Sequence, residues 1–150
     1  MKSIKVFLFE RKKSFVFIAY FPMPVKAGFP SPAADHMEER IDLNDEFIKH
    51  PLSTFIIDCE GDSMTGAFIP PKAKLIIDRS LTAKSGDIVL AVLDGEMTVK
   101  ILRKTEFKCF LVPANSKYKE IEITPEMNMQ VWGVVTAILT NANDVRTCIR

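Results

Sequence analysis

Short runs of β-branched and apolar residues, separated by turn residues, fill the chain after residue 50. Apolar runs of about four to eight residues bounded by turn residues are typical of strands in an all-β domain. The pattern predicts seven strands, at residues 54–59, 75–78, 87–93, 97–103, 107–112, 120–123 and 129–140. The sequence therefore predicts a mostly β fold, a compact β-barrel or β-sandwich domain with an extended N-terminal arm.

One hairpin is indicated by its turn residues. Asp94 and Gly95 stand between the predicted strands at residues 87–93 and 97–103. Asp-Gly is favoured in type I′ turns because both central residues of such a turn have a positive φ. We therefore expect these two strands to be antiparallel neighbours.

The first fifty residues follow a different pattern. Four prolines and one glycine between Pro22 and Ala34 disfavour both helix and sheet, which predicts an extended linker. A short helix is predicted to begin at Asn44 as its N-cap and to end before Pro51. The predicted organisation is an arm at residues 1–27, a linker with a short helix at 28–50, a β domain at 51–140 and a polar tail at 141–150.

An apolar run at residues 15–21 follows three basic residues and resembles a targeting segment. Seven residues are far fewer than the roughly 20 that span a bilayer, and Pro22 and Pro24 end any helix there, so we expect no membrane anchor. Residues 25–27 also suit the small-residue pattern ahead of a signal-peptidase site, which keeps an exported protein as an alternative. We expect a cytoplasmic protein, because the rest of the chain carries candidate catalytic machinery.

Composition and charge narrow the classes of function. The chain has 150 residues, of which 47% are hydrophobic and 26% charged, which is enough for one domain with its own core. Residues 1–27 carry six basic side chains against Glu10, a net charge of +5, and the other fourteen basic and eighteen acidic residues give −4. A negatively charged body does not attract phosphate backbones, so we expect no direct DNA binding.

The cysteines and histidines predict neither a disulfide framework nor a metal site. The three cysteines lack a C-x-x-C pair, and the two histidines lack a third ligand at metal spacing; these residues are Cys59, Cys109, Cys148, His36 and His50. We expect no cofactor, and a reducing compartment is the simplest context for free thiols.

Ser63 is a candidate nucleophile. It follows a predicted strand in the glycine-flanked sequence Gly61-Asp62-Ser63, where a hydroxyl can be exposed and backbone N–H groups can converge. The same sequence is also ordinary turn chemistry, so these residues alone leave both interpretations open.

Lys100 is the candidate base for that hydroxyl. It lies in the middle of the predicted strand 97–103, on the same face as Thr98 and Leu102. A lysine with an ordinary pKa near 10.4 is almost fully protonated at pH 7, whereas burial lowers the pKa and frees the amine to accept a proton. The strand alone also allows a lysine that extends to solvent at a sheet edge.

Taken together, these residues resemble a known family. Gly61-Asp62-Ser63-Met64, followed 37 positions after Ser63 by Lys100, is similar to the Ser-Lys dyad of the LexA/UmuD self-cleaving peptidases. Residues 27–35 resemble the cleavage segment of the UmuD-type branch, the accessory subunits of error-prone DNA polymerase V. Further similarity lies at residues 40–44, 81–89, 113–116 and 131–135. Residues 65–74 depart from the family, which usually has an acidic, glycine-rich turn there, and this leaves the geometry of that loop open.

The resemblance implies a LexA/signal-peptidase-like β domain and a set of residue roles. Ser63 is then the nucleophile of a serine endopeptidase, Lys100 its general base, and Thr98 a support for the dyad. The backbone N–H groups of Ser63 and Met64 are the expected oxyanion donors.

The same resemblance implies a substrate and partners. The scissile bond joins Ala27 to Gly28, and cleavage is stimulated by a RecA-type filament on single-stranded DNA. The protein is expected to be a homodimer whose shortened form serves a Y-family translesion polymerase in the SOS response to DNA damage.

Besides the exported protein, two alternatives stay open from the sequence. One is a non-catalytic β module with a vestigial dyad that docks a polymerase or a second copy of itself. The other is a fragment of a LexA-like repressor, which the short segment ahead of the β domain disfavours because a winged helix-turn-helix needs more residues.

Overall fold

The computed structural model describes residues 16–20, 22, 27–28 and 39–149. The chain divides into two compact units, residues 1–46 and residues 47–150. The predicted linker and the predicted arm at residues 1–27 lie largely outside the described residues. No helix within the described ranges is long and apolar enough to cross a membrane.

A two-stranded sheet in the first unit is a feature that the sequence pattern did not indicate. β1 (Phe17–Tyr20) pairs antiparallel with β2 (Glu39–Asp42), with Tyr20 opposite Glu39. β1 belongs to the apolar run that we considered as a targeting segment. β2 carries mostly polar residues, and such a strand has little hydrophobic signal of its own.

The short helix is present, but its predicted cap is wrong. Helix α1 (Leu43–Phe47) begins one residue before Asn44 and ends well before Pro51. Asp42 precedes it, and its Oδ1 accepts hydrogen bonds from the Asn44 backbone N–H at 2.8 Å and from the Asn44 side-chain amide at 2.9 Å. The carboxylate therefore satisfies the free N–H at the helix start, and Asn44 lies within the first turn.

The second unit contains a seven-stranded antiparallel sheet, and the prediction of a mostly β fold is confirmed. Every predicted strand is present to within two residues at each end. The strands are β3 (Thr54–Asp58), β4 (Lys74–Asp78), β5 (Ile88–Leu93), β6 (Glu96–Lys104), β7 (Cys109–Val112), β8 (Ile121–Ile123) and β9 (Met129–Leu139). Their order is β3-β4-β9-β5-β6-β7-β8, and within the described residues β3 and β8 do not pair to close a barrel.

The predicted hairpin is confirmed. β5 pairs antiparallel with β6 up to Leu93 opposite Glu96, and the two turn residues Asp94 and Gly95 have φ values of 50° and 89°. A type I′ turn requires positive φ at both positions, which glycine and aspartate tolerate better than most residues. The hairpin fixes the position of every residue of β6, including Lys100.

Alternate residues of β5 face two different core clusters. Leu90 belongs to a cluster with Met64, and its neighbours Val89 and Ala91 belong to a cluster with Leu102. Burial on both faces explains the nearly continuous apolar sequence of this strand. The core thus lies on both sides of the sheet at the strand that neighbours β6.

A 3₁₀ helix (Asp144–Cys148) lies in the C-terminal segment, for which the sequence predicted no element.

Candidate active site

Ser63 lies in an irregular turn between β3 and a 3₁₀ helix (Thr65–Ala67). Gly61 has a φ of 80°, a conformation that favours glycine, and so lets the chain change direction after the strand. Met64 is only 2% exposed and packs in the core. The turn is therefore anchored immediately after Ser63, which itself is half-buried.

The loop after β7 holds this turn from fifty positions further along the chain. The Ala114 N–H donates to the Ser63 carbonyl at 2.9 Å, and the Asn115 side-chain amide donates to the Asp62 carbonyl at 2.9 Å. The Gly66 N–H donates to the Ala114 carbonyl at 2.6 Å. A Cβ at Gly66 would lie 2.3 Å from that carbonyl oxygen, so the close approach requires glycine.

β6 brings the Lys100 amine to the Ser63 hydroxyl. Lys100 Nζ lies 3.1 Å from Ser63 Oγ, 2.9 Å from Thr98 Oγ1 and 3.0 Å from the Val99 carbonyl oxygen. A charged ammonium can donate to all three oxygens. A neutral amine can donate to Val99 and Thr98 while its lone pair accepts the hydroxyl hydrogen of Ser63. The same geometry thus accommodates both protonation states of the base.

The surroundings of Lys100 favour the neutral amine. Burial lowers the pKa of Lys100 below its ordinary value, and Cys59 offsets part of this effect. Burial likewise raises the pKa of the Cys59 thiol, against an opposing influence of Lys100. A lowered lysine pKa is the direction that a general base requires near neutral pH.

Cys59 is a site residue that sequence reasoning missed. It is 7% exposed and lines the same cleft as Ser63 and Lys100. The sequence analysis considered cysteines only as disulfide partners or zinc ligands, and no local signal relates Cys59 to a lysine on another strand. Because its pKa is raised, the thiol stays uncharged at neutral pH and contributes a nearly apolar wall.

The dyad lies in a cleft of about 330 Å³. The cleft is lined by residues 57–61, Ser63, Met64, Leu90 and residues 97–100. Within the described part of the chain, the backbone N–H groups of Ser63 and Met64 donate to no protein acceptor. They are therefore free to bind an oxygen of a substrate.

The loop at residues 65–74 reaches a glycine-like conformation without glycine at the turning points. Phe68 has a φ of 59° and Lys72 a φ of 71°. The Phe68 side chain makes few packing contacts that could offset this backbone strain, since the residue is 63% exposed. The sequence left the geometry of this loop open, and the structure shows that it turns through left-handed backbone at these two residues.

The remaining candidate residues differ in their surroundings. Ala27 and Gly28 belong to the first unit and are exposed, and a Cβ at Gly28 would meet no atom within 4 Å. His50 forms a hydrogen bond of 2.5 Å through Nδ1 to the buried carboxylate of Asp78, and His36 lies outside the described residues. In those same ranges, no group of three or more histidines, cysteines, aspartates or glutamates could hold a metal ion.

The chain is similar in sequence to a known protein family and to several known proteins. Residues 20–136 match the family model described as Peptidase S24-like. MucA of Salmonella typhimurium is 36% identical over 120 residues, which cover 79% of this chain and 82% of MucA. SamA of Salmonella typhimurium strain LT2 is 42% identical over 113 residues, 75% of this chain and 78% of SamA. The LexA repressor of Alcanivorax borkumensis is 30% identical over 119 residues, 79% of this chain but 57% of the repressor.

Proposed function

The chain belongs to the Peptidase S24-like family, and we propose that it is a self-cleaving serine peptidase with Ser63 as nucleophile and Lys100 as general base. The observation that carries the proposal is the 3.1 Å contact between Lys100 Nζ and Ser63 Oγ. It joins a hydroxyl to an amine whose pKa is lowered by burial. These are the two parts that Ser-Lys catalysis needs.

The proposed reaction begins with proton transfer within the dyad. The neutral Lys100 amine takes the hydroxyl proton of Ser63 as Oγ attacks the carbonyl carbon of Ala27. The negative oxygen that forms is stabilised by the backbone N–H groups of Ser63 and Met64. Thr98 Oγ1 and the Val99 carbonyl hold the amine in place through both protonation states.

Collapse of this intermediate completes the cut. The C–N bond of the Ala27–Gly28 peptide breaks, and the Lys100 ammonium gives its proton to the Gly28 nitrogen, which becomes a new amino terminus. Ala27 is left as an ester on Ser63 Oγ. Water then attacks this ester with Lys100 again as base, which releases the carboxylate of Ala27 and restores Ser63.

The Ala27–Gly28 bond suits a nucleophile that lies in a turn. Both residues are small and exposed, so their own side chains do not hinder the approach of a serine to the carbonyl carbon. The bond belongs to the same chain as the dyad, or to a partner copy in a dimer, and tethering raises the effective concentration of the substrate. A dyad of modest reactivity is sufficient for such a single turnover.

We place this reaction in the SOS response of a bacterial cytoplasm. MucA and SamA are UmuD-type proteins, and the family also includes the LexA repressor. We propose that a RecA-type filament on single-stranded DNA stimulates cleavage and that the shortened form, as a homodimer, joins a Y-family translesion polymerase. Cleavage removes the net charge of +5 on residues 1–27, and this change favours a different set of partners.

The test is the intact mass of purified wild type, Ser63→Ala and Lys100→Ala, incubated with and without a RecA filament on single-stranded DNA. We expect a fragment that begins at Gly28 from the wild type alone, with more of it when the filament is present. Lys104→Ala, on the same strand but at an exposed position, is the matched control and should still be cut. Cleavage of either dyad variant at this bond would contradict the proposal.

A further inference from the structure

We infer that Asn115, together with the backbone of Ala114, is a positioning residue that orients the two N–H groups of the oxyanion site. The inference rests on the proposed function, because it assigns an oxyanion to this cleft. It deepens that function by naming residues that touch neither the substrate nor the reacting atoms of the dyad. Both residues lie in the loop after β7, which we call the support loop (residues 113–118).

The orientation follows from the geometry of the peptide group. A trans peptide unit is planar and directs its C=O and its N–H in opposite directions. The Ser63 N–H shares a peptide unit with the Asp62 carbonyl, and the Met64 N–H shares one with the Ser63 carbonyl. No cis peptide bond is present among the described residues. Whatever holds these two carbonyls therefore sets the direction of the two N–H groups.

Both carbonyls are held from the support loop. The Asn115 amide donates to the Asp62 carbonyl at 2.9 Å, and the Ala114 N–H donates to the Ser63 carbonyl at 2.9 Å. The Asp62 carbonyl also accepts from Thr65, through its N–H at 3.3 Å and its Oγ1 at 3.1 Å. Thr65 belongs to the turn itself and moves with it, whereas Asn115 connects the turn to another part of the sheet.

The orientation of the Asn115 amide is itself determined. Its Oδ1 accepts the backbone N–H of Lys117 at 3.0 Å, so Nδ2 is the atom that points to the Asp62 carbonyl. The Tyr118 N–H donates to the Asn115 carbonyl at 3.0 Å and closes the support loop on itself. The Tyr118 hydroxyl also donates to the Asp62 carboxylate, which adds a second link between the support loop and the turn.

The effect of Asn115 on the maximal rate of cleavage can be separated from the effect of Lys100 on its pH dependence. Lys100 sets the pH at which the dyad becomes active, and its hydrogen-bond partners do not include Asn115. Loss of the Asn115 donor should therefore lower the maximal rate of cleavage and leave the pH midpoint unchanged. A substitution that merely loosens the whole site would move both quantities.

The test uses Asn115→Ser in the full-length protein. The serine hydroxyl can still accept the Lys117 N–H and adds no charge, but it is too short to donate to the Asp62 carbonyl. We expect the first-order rate of self-cleavage on the alkaline plateau to fall about 10- to 100-fold, with the midpoint of the pH profile unchanged. Ser116→Ala, an exposed neighbour in the support loop, is the matched control and should cleave at the wild-type rate. A plateau rate for Asn115→Ser within twofold of wild type would overturn the inference, as would a shifted midpoint.

Two further measurements keep the test decisive. Thermal unfolding shows whether the variant is folded at the assay temperature; if it is not, Asn115→Thr replaces it with the same expectation, since its hydroxyl is also too short to reach the Asp62 carbonyl. If the Ser63 and Lys100 variants are not cut but the Asn115 variant is cut at the wild-type rate, this inference alone is refuted. Cleavage that persists without Ser63 would refute the proposed function itself.

Discussion

The two residues of the proposed dyad are held by different kinds of structure. Lys100 lies within a strand ladder, since β6 pairs with β5 from Ile88 opposite Ile101 to Leu93 opposite Glu96. Ser63 lies in an irregular turn, and its position depends on hydrogen bonds from residues more than fifty positions later in the chain. Lys100 is therefore placed by regular local pairing and Ser63 by a few long-range contacts.

This difference predicts how each half responds to change. A strand ladder distributes its hydrogen bonds over many residues, so that single substitutions away from Lys100 should leave the amine in place. The nucleophile turn relies on a close approach between Gly66 and Ala114 and on one side-chain amide. Substitutions there should affect cleavage even where they do not touch Ser63.

Removal of the Lys100 amine should have the largest effect. Lys100→Met should abolish self-cleavage and also change how stability depends on pH. Because burial lowers the pKa of Lys100 in the folded protein, the folded state binds this proton less tightly than the unfolded chain does. The wild type is therefore destabilised below the folded pKa, and this cost disappears as the pH rises to the ordinary lysine pKa.

Urea unfolding of Lys100→Met and wild type measures this cost. The free energy of unfolding of the variant minus that of the wild type should decrease between about pH 7 and about pH 10. Lys104→Met, exposed on the same strand, is the matched control for the loss of a lysine side chain as such. A difference for Lys100→Met that stays constant or increases with pH would show that this amine is not shifted.

The same substitution at two glycines compares the two regions directly. Gly66→Ala places a Cβ 2.3 Å from the Ala114 carbonyl oxygen, and we expect a loss of about 2 to 4 kcal/mol of stability and at least about tenfold slower cleavage by the folded protein. Gly95→Ala has space for its Cβ and is strained only by its φ of 89°, at a cost of about 1 to 2 kcal/mol. It should leave cleavage by the folded protein unchanged. Equal effects of the two variants on cleavage would remove the distinction between the regions.

Phe68→Gly should stabilise the loop that follows the nucleophile. Glycine adopts the φ of 59° without steric cost, and the aromatic ring that is lost is largely exposed. The expected gain is about 0.5 to 1 kcal/mol after the entropy cost of glycine is subtracted, with an unchanged cleavage rate. Phe107→Gly is the control, because Phe107 is 88% exposed but is not among the residues with positive φ. Thermal unfolding of both variants gives the comparison, and a stabilised Phe107→Gly would contradict it.

Tyr118→Phe should have the smallest effect. It removes the hydrogen bond to the Asp62 carboxylate and keeps the ring, so we expect cleavage to slow by about two- to threefold. The hydrogen bond to the Asp62 carboxylate raises the pKa of Tyr118, so that the phenol keeps this donor to a higher pH than an ordinary tyrosine would. Single-turnover rates of Tyr118→Phe beside Tyr20→Phe, an exposed tyrosine of the other unit, check this expectation. A loss as large as that of Asn115→Ser would assign the main support to Tyr118.

The regular part of the fold could be predicted from the sequence because its signals are local. The apolar runs and the turn at Asp94 and Gly95 are sufficient for the seven strands and for the β5–β6 hairpin. The pairing of β1 with β2 escaped prediction, since the polar residues of β2 give no strand signal and its partner lies in a distant segment. Asp42 and Asn44 are both good N-cap residues, so the sequence does not distinguish between them, and the cap was assigned to the wrong one.

The candidate site was only partly predictable. Ser63 and Lys100 were ambiguous as single residues, and it was their spacing, together with the family resemblance, that indicated a dyad. Asn115 lay within a segment of that resemblance, but nothing in the sequence shows that its amide reaches the Asp62 carbonyl. Such contacts depend on how distant loops meet in the fold, and this information is absent from local pattern and propensity.

The central claim is that Ser63 and Lys100 form a working dyad that cuts this chain. The most direct test is the intact mass of the purified protein after incubation across about pH 7 to 10, with Lys100→Ala beside it. The account predicts a fragment that begins at Gly28, that increases with pH and that is absent from the variant. A chain that stays uncut at every pH, and also when a RecA filament is added, would contradict the account and favour a non-catalytic module.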